Sequence, residues 1–291
     1  MSTSTAPAPT RRAARPDGSG VNFARILRSE WIKVTTVPST VILLATTLVV
    51  MVGIAALVAW SWATTAQMLA DDPTMGPAMG VGAGMDLQAM VYDTPASGVL
   101  FGQLLIAALA VVLIASEYST GMIRSTMVAV PSRTPALFAK AIITAVVAFV
   151  IGVAGAFASF LISQPLLATE NLDFTLDVPW VLPSIINTGT FLAAIAVMGV
   201  AIGSLLRSTA GGVVTIIGAL FVLPVIVQLI SGLADWIPDA ARFLPSSAGA
   251  QLVATNISDG ALNQLEGGLV LGGWAVALLI AALVVNKIRD V

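Results

Sequence analysis

Six runs of about twenty mostly apolar residues punctuate this chain, at approximately Ser39–Ala63, Ser97–Ala115, Leu137–Ser163, Ser184–Leu206, Ala210–Leu233 and Glu266–Asn286. A helix rises about 1.5 Å per residue and the hydrocarbon core of a bilayer is about 30 Å thick, so each run is long enough to span. The alternative, a water-soluble domain, needs roughly a quarter of its residues charged to cover its surface. Only 10% are charged here and 57% are hydrophobic, with a mean hydropathy of +0.97. The expected fold class is therefore all-α and polytopic, with six transmembrane helices.

Basic residues orient the spans. With the N-terminus inside, every Lys and Arg except Arg242 falls on the cytoplasmic side, whereas most acidic residues, Asp71, Asp93, Glu170 and Asp177 among them, fall outside. An odd number of spans would move Lys287 and Arg289 outward and spoil this segregation. Both termini are thus expected in the cytoplasm, with the chain in a bacterial plasma (inner) membrane.

Three regions follow. Residues 1–20, rich in Ser, Thr, Ala and Pro with Arg11, Arg12 and Arg15, read as a disordered cytoplasmic tail. Residues 21–37 read as an amphipathic helix: Phe23, Ile26, Leu27, Trp31 and Val34 share one face of a 3.6-residue period, with Arg25, Arg28 and Lys33 beside it. Such a helix is expected to lie in the membrane interface, anchoring the chain to lipid or also touching a cytoplasmic partner. Pro38 should end it, with Ser39 capping the first span. Residues 38–291 hold the six spans. The stretch 64–96 reads as a Gly/Met loop whose Met68, Met75, Met79, Met85 and Met90 could alternatively gather round Cu(I). The amphipathic stretch 234–265 reads as short helices resting at the outer interface or dipping into it.

Most catalytic chemistry lacks its residues. The chain has no Cys and no His, which removes thiolate sites, cysteine nucleophiles and the usual general base. No P-loop and no Gly-x-Ser-x-Gly elbow occurs. No enzymatic activity and no cofactor bound by this chain are expected, and a net charge of -2 offers no field for nucleic acid. Glu117, Lys140, Arg207, Glu266 and Lys287 sit at span ends, where their side chains are expected to reach the headgroups. Within the spans, Gln103, Asn187 and Gln228 either bond neighbouring helices or line a substrate path. Gly199 and Gly203 form a Gly-x-x-x-Gly pair, and Pro224 should kink the fifth span.

The inner loop between the second and third runs is too apolar for a solvated linker. It contains Glu117-Tyr-Ser-Thr-Gly-Met-Ile-Arg124, then Pro131-Ser-Arg133, with Lys140 opening the third span. These stretches resemble the ABC-2 type transporter permease family. Ser29-Glu-Trp-Ile-Lys33 is similar to that family's helix ahead of its first span, and Leu244-Pro-Ser-Ser-Ala-Gly249 to its segment between spans five and six. The resemblance implies a six-helix exporter subunit that dimerises, most simply as a homodimer, and docks a separate ATP-binding subunit that holds ATP and Mg. It further implies that Glu117, Tyr118, Thr120, Gly121, Arg124 and Arg133 lie in or near the region coupled to that ATPase. Two other readings remain open at this point: a membrane anchor or immunity factor that recruits an ATPase, and a secondary carrier that needs none.

Overall fold

The computed structural model describes residues 22–72, 74, 76, 87–121, 133–256 and 260–288. The tail 1–20 and the side chains of Met75, Met79, Met85, Arg124 and Arg133 lie outside the described residues. Those residues form helices and turns without a strand. The helices are α1 (Phe23–Thr36), α2 (Pro38–Asp71), α3 (Leu87–Val91), α4 (Val99–Ser119), α5 (Arg133–Leu167), α6 (Val181–Leu206), α7 (Thr209–Ile217), α8 (Leu223–Leu229), α9 (Trp236–Ala241), α10 (Pro245–Val253) and α11 (Gln264–Ile288). Six stretches are long and apolar enough to cross a membrane: 38–71, 87–119, 134–170, 181–206, 209–233 and 264–288. They match the six apolar runs in place and number. The chain is a multi-pass membrane protein.

The local signals explain most boundaries. Asn22 caps α1 by accepting the Ala24 N–H at 3.4 Å. Val37, not Ser39, occupies the cap of α2, and Pro38 is its first helical residue, where the missing N–H is harmless and the fixed φ already suits a helix. At the start of α11, Asn263 Oδ1 accepts from Glu266 N and Glu266 Oε2 accepts from Asn263 N, both at 2.9 Å. This is a reciprocal capping box with Asn in place of Ser. Ahead of Pro224 the fifth span widens into a π turn at Gly218–Val222, which accommodates the carbonyl that proline cannot bond.

Helix α6 is the centre of the bundle. It packs on α4, α5, α7, α10 and α11, and most of its side chains are buried. Two close approaches make that possible. A Cβ on Gly152 of α5 would lie 2.7 Å from the Cα of Gly189 in α6, so the two backbones meet there without side chains. Farther along α6, Gly199 and Gly203 seat α4, with hypothetical Cβ atoms 2.9 Å from the Ala107 carbonyl and 3.1 Å from that of Val111. The Gly-x-x-x-Gly spacing thus serves an interface within the chain. By contrast α2, α8 and α11 turn apolar side chains outward: Val49 is 72% exposed and Leu229 is 81% exposed. Water would not tolerate that surface; hydrocarbon does.

Between the fifth and sixth spans, α9 lies exposed, with Trp236 open and Ile237 buried. Helix α10 instead inserts between α6 and α11, burying Pro245, Ala248, Gly249, Leu252 and Val253. Of the short helices expected here, the second is therefore part of the core.

Candidate functional site

Charge divides the bundle into two ends. One, the basic end, carries α1, the close of α4, the start of α5, the α6–α7 junction and the close of α11. At this end two side-chain clusters meet.

The first cluster is ionic and buried. Glu30 of α1, Glu117 of α4 and Lys140 of α5 are each less than 7% exposed, and Lys33 of α1 stands at their edge. Lys140 Nζ donates to Glu30 Oε2 at 2.5 Å and to Glu117 Oε1 at 3.0 Å. Lys33 Nζ donates to Glu30 Oε1 at 2.7 Å and to Glu117 Oε1 at 2.8 Å. Two carboxylates and two ammonium groups close a ring that is neutral as a whole. This neutrality makes the burial tolerable, since a lone desolvated charge is strongly unfavourable. Burial alone would push Glu30 up. The Lys140 charge and the hydrogen bonds from Lys140 and Lys33 outweigh it and hold the carboxyl below its usual value. For Lys33 burial pulls downward, and the hydrogen bonds to Glu117 and Glu30 prevail, raising it.

The second cluster begins at the next residue. Tyr118 Oη donates to Asn286 Oδ1 of α11 at 3.1 Å, and the Arg207 guanidinium lies 5.2 Å from the Tyr118 ring centroid. Arg207 Nη2 also donates to Asn286 Oδ1 at 3.5 Å, while Asn286 Nδ2 donates to Ser204 Oγ. Arg207 has a left-handed backbone, φ 52°, at the break between α6 and α7. That conformation costs a non-glycine residue about 1–2 kcal/mol and coincides with the guanidinium's seat over Tyr118.

Adjacent residues of α4 therefore tie their own helix to four others: Glu117 reaches α1 and α5, and Tyr118 reaches α6 and α11. Just beyond them α4 ends. Thr120 caps it, its N–H bonded to the Ser116 carbonyl at 3.0 Å, and Gly121 follows with φ 71°, the left-handed stop that favours glycine. The chain then enters 122–132, outside the described residues.

This arrangement departs from several expectations. Glu117 and Lys140 do not extend to the headgroups; they turn inward, because each has a buried partner of opposite charge. Lys287 and Glu266 are exposed. The amphipathic face of α1 is split: Ile26, Leu27 and Val34 pack on the protein, Ile26 and Leu27 beside Ala139 of α5, whereas Phe23 and Trp31 remain exposed. Its buried stripe is Ile26, Glu30 and Val34. Sequence reasoning misses Glu30 although the signal is present, a carboxylate four residues from each of two buried apolar positions. It also misses Ser204 and Asn286, which no sequence spacing links.

The three residues considered for a substrate path are not brought together. Gln103 is 1% exposed in α4, Gln228 is exposed on α8, and Asn187 lies at the opposite, acidic end of α6. There Asn187 Nδ2 donates to the Leu252 carbonyl at 3.0 Å and to Gln264 Oε1 at 3.2 Å, Ser184 Oγ donates to the Val253 carbonyl at 2.5 Å, and Gln264 Nε2 donates to the Ala254 carbonyl at 2.7 Å. These side chains serve carbonyls that the end of α10 leaves unbonded.

Among the described residues no group of three or more His, Cys, Asp or Glu side chains is placed to hold a metal ion. The class defined is a helical multi-pass membrane protein with a buried ionic ring at its basic end. No model of a known protein family and no curated protein matches the chain.

Proposed function

We propose that this protein is the transmembrane subunit of an ATP-driven exporter of the ABC-2 type, with its basic end in the cytoplasm and a separate ATP-binding subunit docked there. In this reading α1 lies in the cytoplasmic interface, two copies of the chain form the working unit, and ATP and Mg belong to the partner. The observation that carries it is the pair Glu117–Tyr118. The loop that resembles the family's coupling segment leaves α4 directly after the two residues that grip α1, α5, α6 and α11. A push on that loop reaches most of the bundle through directional polar contacts, buried at Lys140 and part-buried at Lys33, Asn286 and Arg207.

The carrier reading rests on a different feature, because a buried carboxylate is what an ion-coupled carrier needs. Here both buried carboxylates are already engaged by ammonium groups. An ion would first have to displace Lys33 or Lys140, which disfavours that reading.

The test uses the tagged protein extracted from its native membranes. Co-purification of a stoichiometric P-loop ATPase is expected, together with loss of ATP-driven efflux in Gly121→Pro and Arg124→Glu chains that still insert normally. Proline cannot adopt the φ of 71° found at Gly121. Undiminished efflux in both variants would sink the coupling role, and a preparation without any ATPase would sink the exporter.

A further inference from the structure

At the acidic end, between the far end of α2, the 3₁₀ turn Thr94–Ala96 and the end of α10, lies a cavity of about 700 Å³. That is within the range of pockets that enclose drug-sized molecules. Val58, Trp62 and Val253 give it apolar walls, and Asp93, Thr94 and Ala250 also line it.

Its one charged residue among the described lining is Asp93; Ser97 and Asn256 add neutral polar groups, whose Oγ and Nδ2 already donate to the Thr94 and Ala89 carbonyls. Asp93 Oδ1 accepts from the N–H of Thr255 at 2.7 Å and from its hydroxyl at 2.6 Å. Oδ2 accepts nothing from the described residues. No Lys or Arg among the described residues lines the cavity. Among the described residues the one basic side chain at this end is Arg242. It already donates to the Gly260 carbonyl at 3.2 Å and lies 3.8 Å from the Asp239 carboxylate.

We propose that this cavity binds a lipophilic organic monocation, with the cation against Asp93 Oδ2 and the apolar body between Val58, Trp62 and Val253. A metal ion would find too few oxygens and too much hydrocarbon. An anion would meet only negative charge. A neutral apolar ligand would leave the carboxylate desolvated. A large cation with diffuse charge is weakly hydrated and loses little on entering. It gains the carboxylate and, where it contacts the indole of Trp62, a cation–π attraction. The proposal is independent of the ATPase, because binding is a property of this chain by itself.

Radiolabelled tetraphenylphosphonium and the full chain in phosphatidylcholine nanodiscs provide the test. Asp93→Asn is the informative variant: its amide oxygen can still accept both Thr255 bonds, so the local structure is kept while the charge is removed. Saturable binding is expected in the wild type and should weaken at least about tenfold in Asp93→Asn. The uncharged analogue triphenylphosphine oxide should not distinguish the two proteins. Ala250→Trp, a substitution on an exposed lining residue, should abolish saturable binding by filling the space. Equal tetraphenylphosphonium affinity in wild type and Asp93→Asn would overturn the proposal, as would wild-type binding that never saturates.

Discussion

Glu30→Gln removes one negative charge from the buried ring and leaves Lys33 and Lys140 sharing Glu117. Glu30 and Lys140 side chains are only 5% and 6% exposed, so solvent screens little of the imbalance. Removing one partner of a buried pair typically costs about 3–5 kcal/mol, mostly as the penalty on the abandoned charge. We expect about 3 kcal/mol for Glu30→Gln, because Glu117 remains to hold Lys140 at 3.0 Å, and a similar loss for Lys140→Met. The double variant restores neutrality: Lys33 and Glu117 stay paired at 2.8 Å, and no charge is stranded. Its loss should therefore fall about 2–3 kcal/mol short of the sum of the single losses. Lys33→Met should cost less, about 1 kcal/mol, since Lys33 is 32% exposed and water can partly replace its contacts. Equilibrium unfolding in mixed micelles with increasing SDS, followed by tryptophan fluorescence, measures all four. Additive losses in Glu30→Gln and Lys140→Met would refute the reasoning, for they would mean that each side chain acts alone and the ring is not a unit.

The same ring fixes a pH window. Glu30 is held below 4.5, so its contribution is complete above that value and lost as pH falls through the lower folded value; Lys33 is held above 10.5, so its contribution is complete below that and lost as pH rises past it. Stability in the same micelles should thus be flat in this respect between about pH 5 and 10, and Glu30→Gln should remove the acid limb that Glu30 supplies. Gly152→Leu should separate α5 from α6 and reduce stability by about 1–3 kcal/mol, whereas Gly272→Ala on α11, with nothing within 4 Å of the added Cβ, should be neutral or gain about 0.5–1 kcal/mol; thermal aggregation of the two variants separates these outcomes. Asn187→Ala leaves the Leu252 carbonyl without its 3.0 Å donor and should cost about 1–2 kcal/mol, seen as faster amide exchange confined to α10 and the start of α11.

Span number and placement were legible because each apolar run answers one simple requirement, the thickness of hydrocarbon. The end of α4 reads short in the sequence, at Ala115, whereas the helix runs on to Ser119 before the left-handed Gly121, because the polar residues Glu117–Ser119 look like loop until their partners are seen. What the sequence hid was direction. Glu117 and Lys140 look like residues that extend to headgroups, and only their partners reverse that reading. Those partners stand on other helices, with Glu30 and Lys140 separated by 110 positions, so no local period reports them. Asn187 is open to two readings in the sequence, a bond between helices or a path; the structure shows the bond between helices, to the Leu252 carbonyl and Gln264, with a partner in α10 that no local period reports.

The two ends of the bundle are held by different kinds of contact, and that difference has a mechanical meaning. At the acidic end Ser184, Asn187 and Gln264 donate to backbone carbonyls of α10 and the residue after it, which fixes a short helix in place but joins few elements. At the basic end the contacts run between side chains of distant helices, and two neighbouring residues, Glu117 and Tyr118, stand at their centre. A rotation of the last turn of α4 by a fraction of its pitch would break hydrogen bonds in both clusters together, or move α1, α5, α6 and α11 with it. The second course is favoured, because the first strands charges in a place that water reaches poorly. The ionic contacts thus favour α4, α1 and α5 moving together at this end, and the Tyr118–Asn286 bond adds α11.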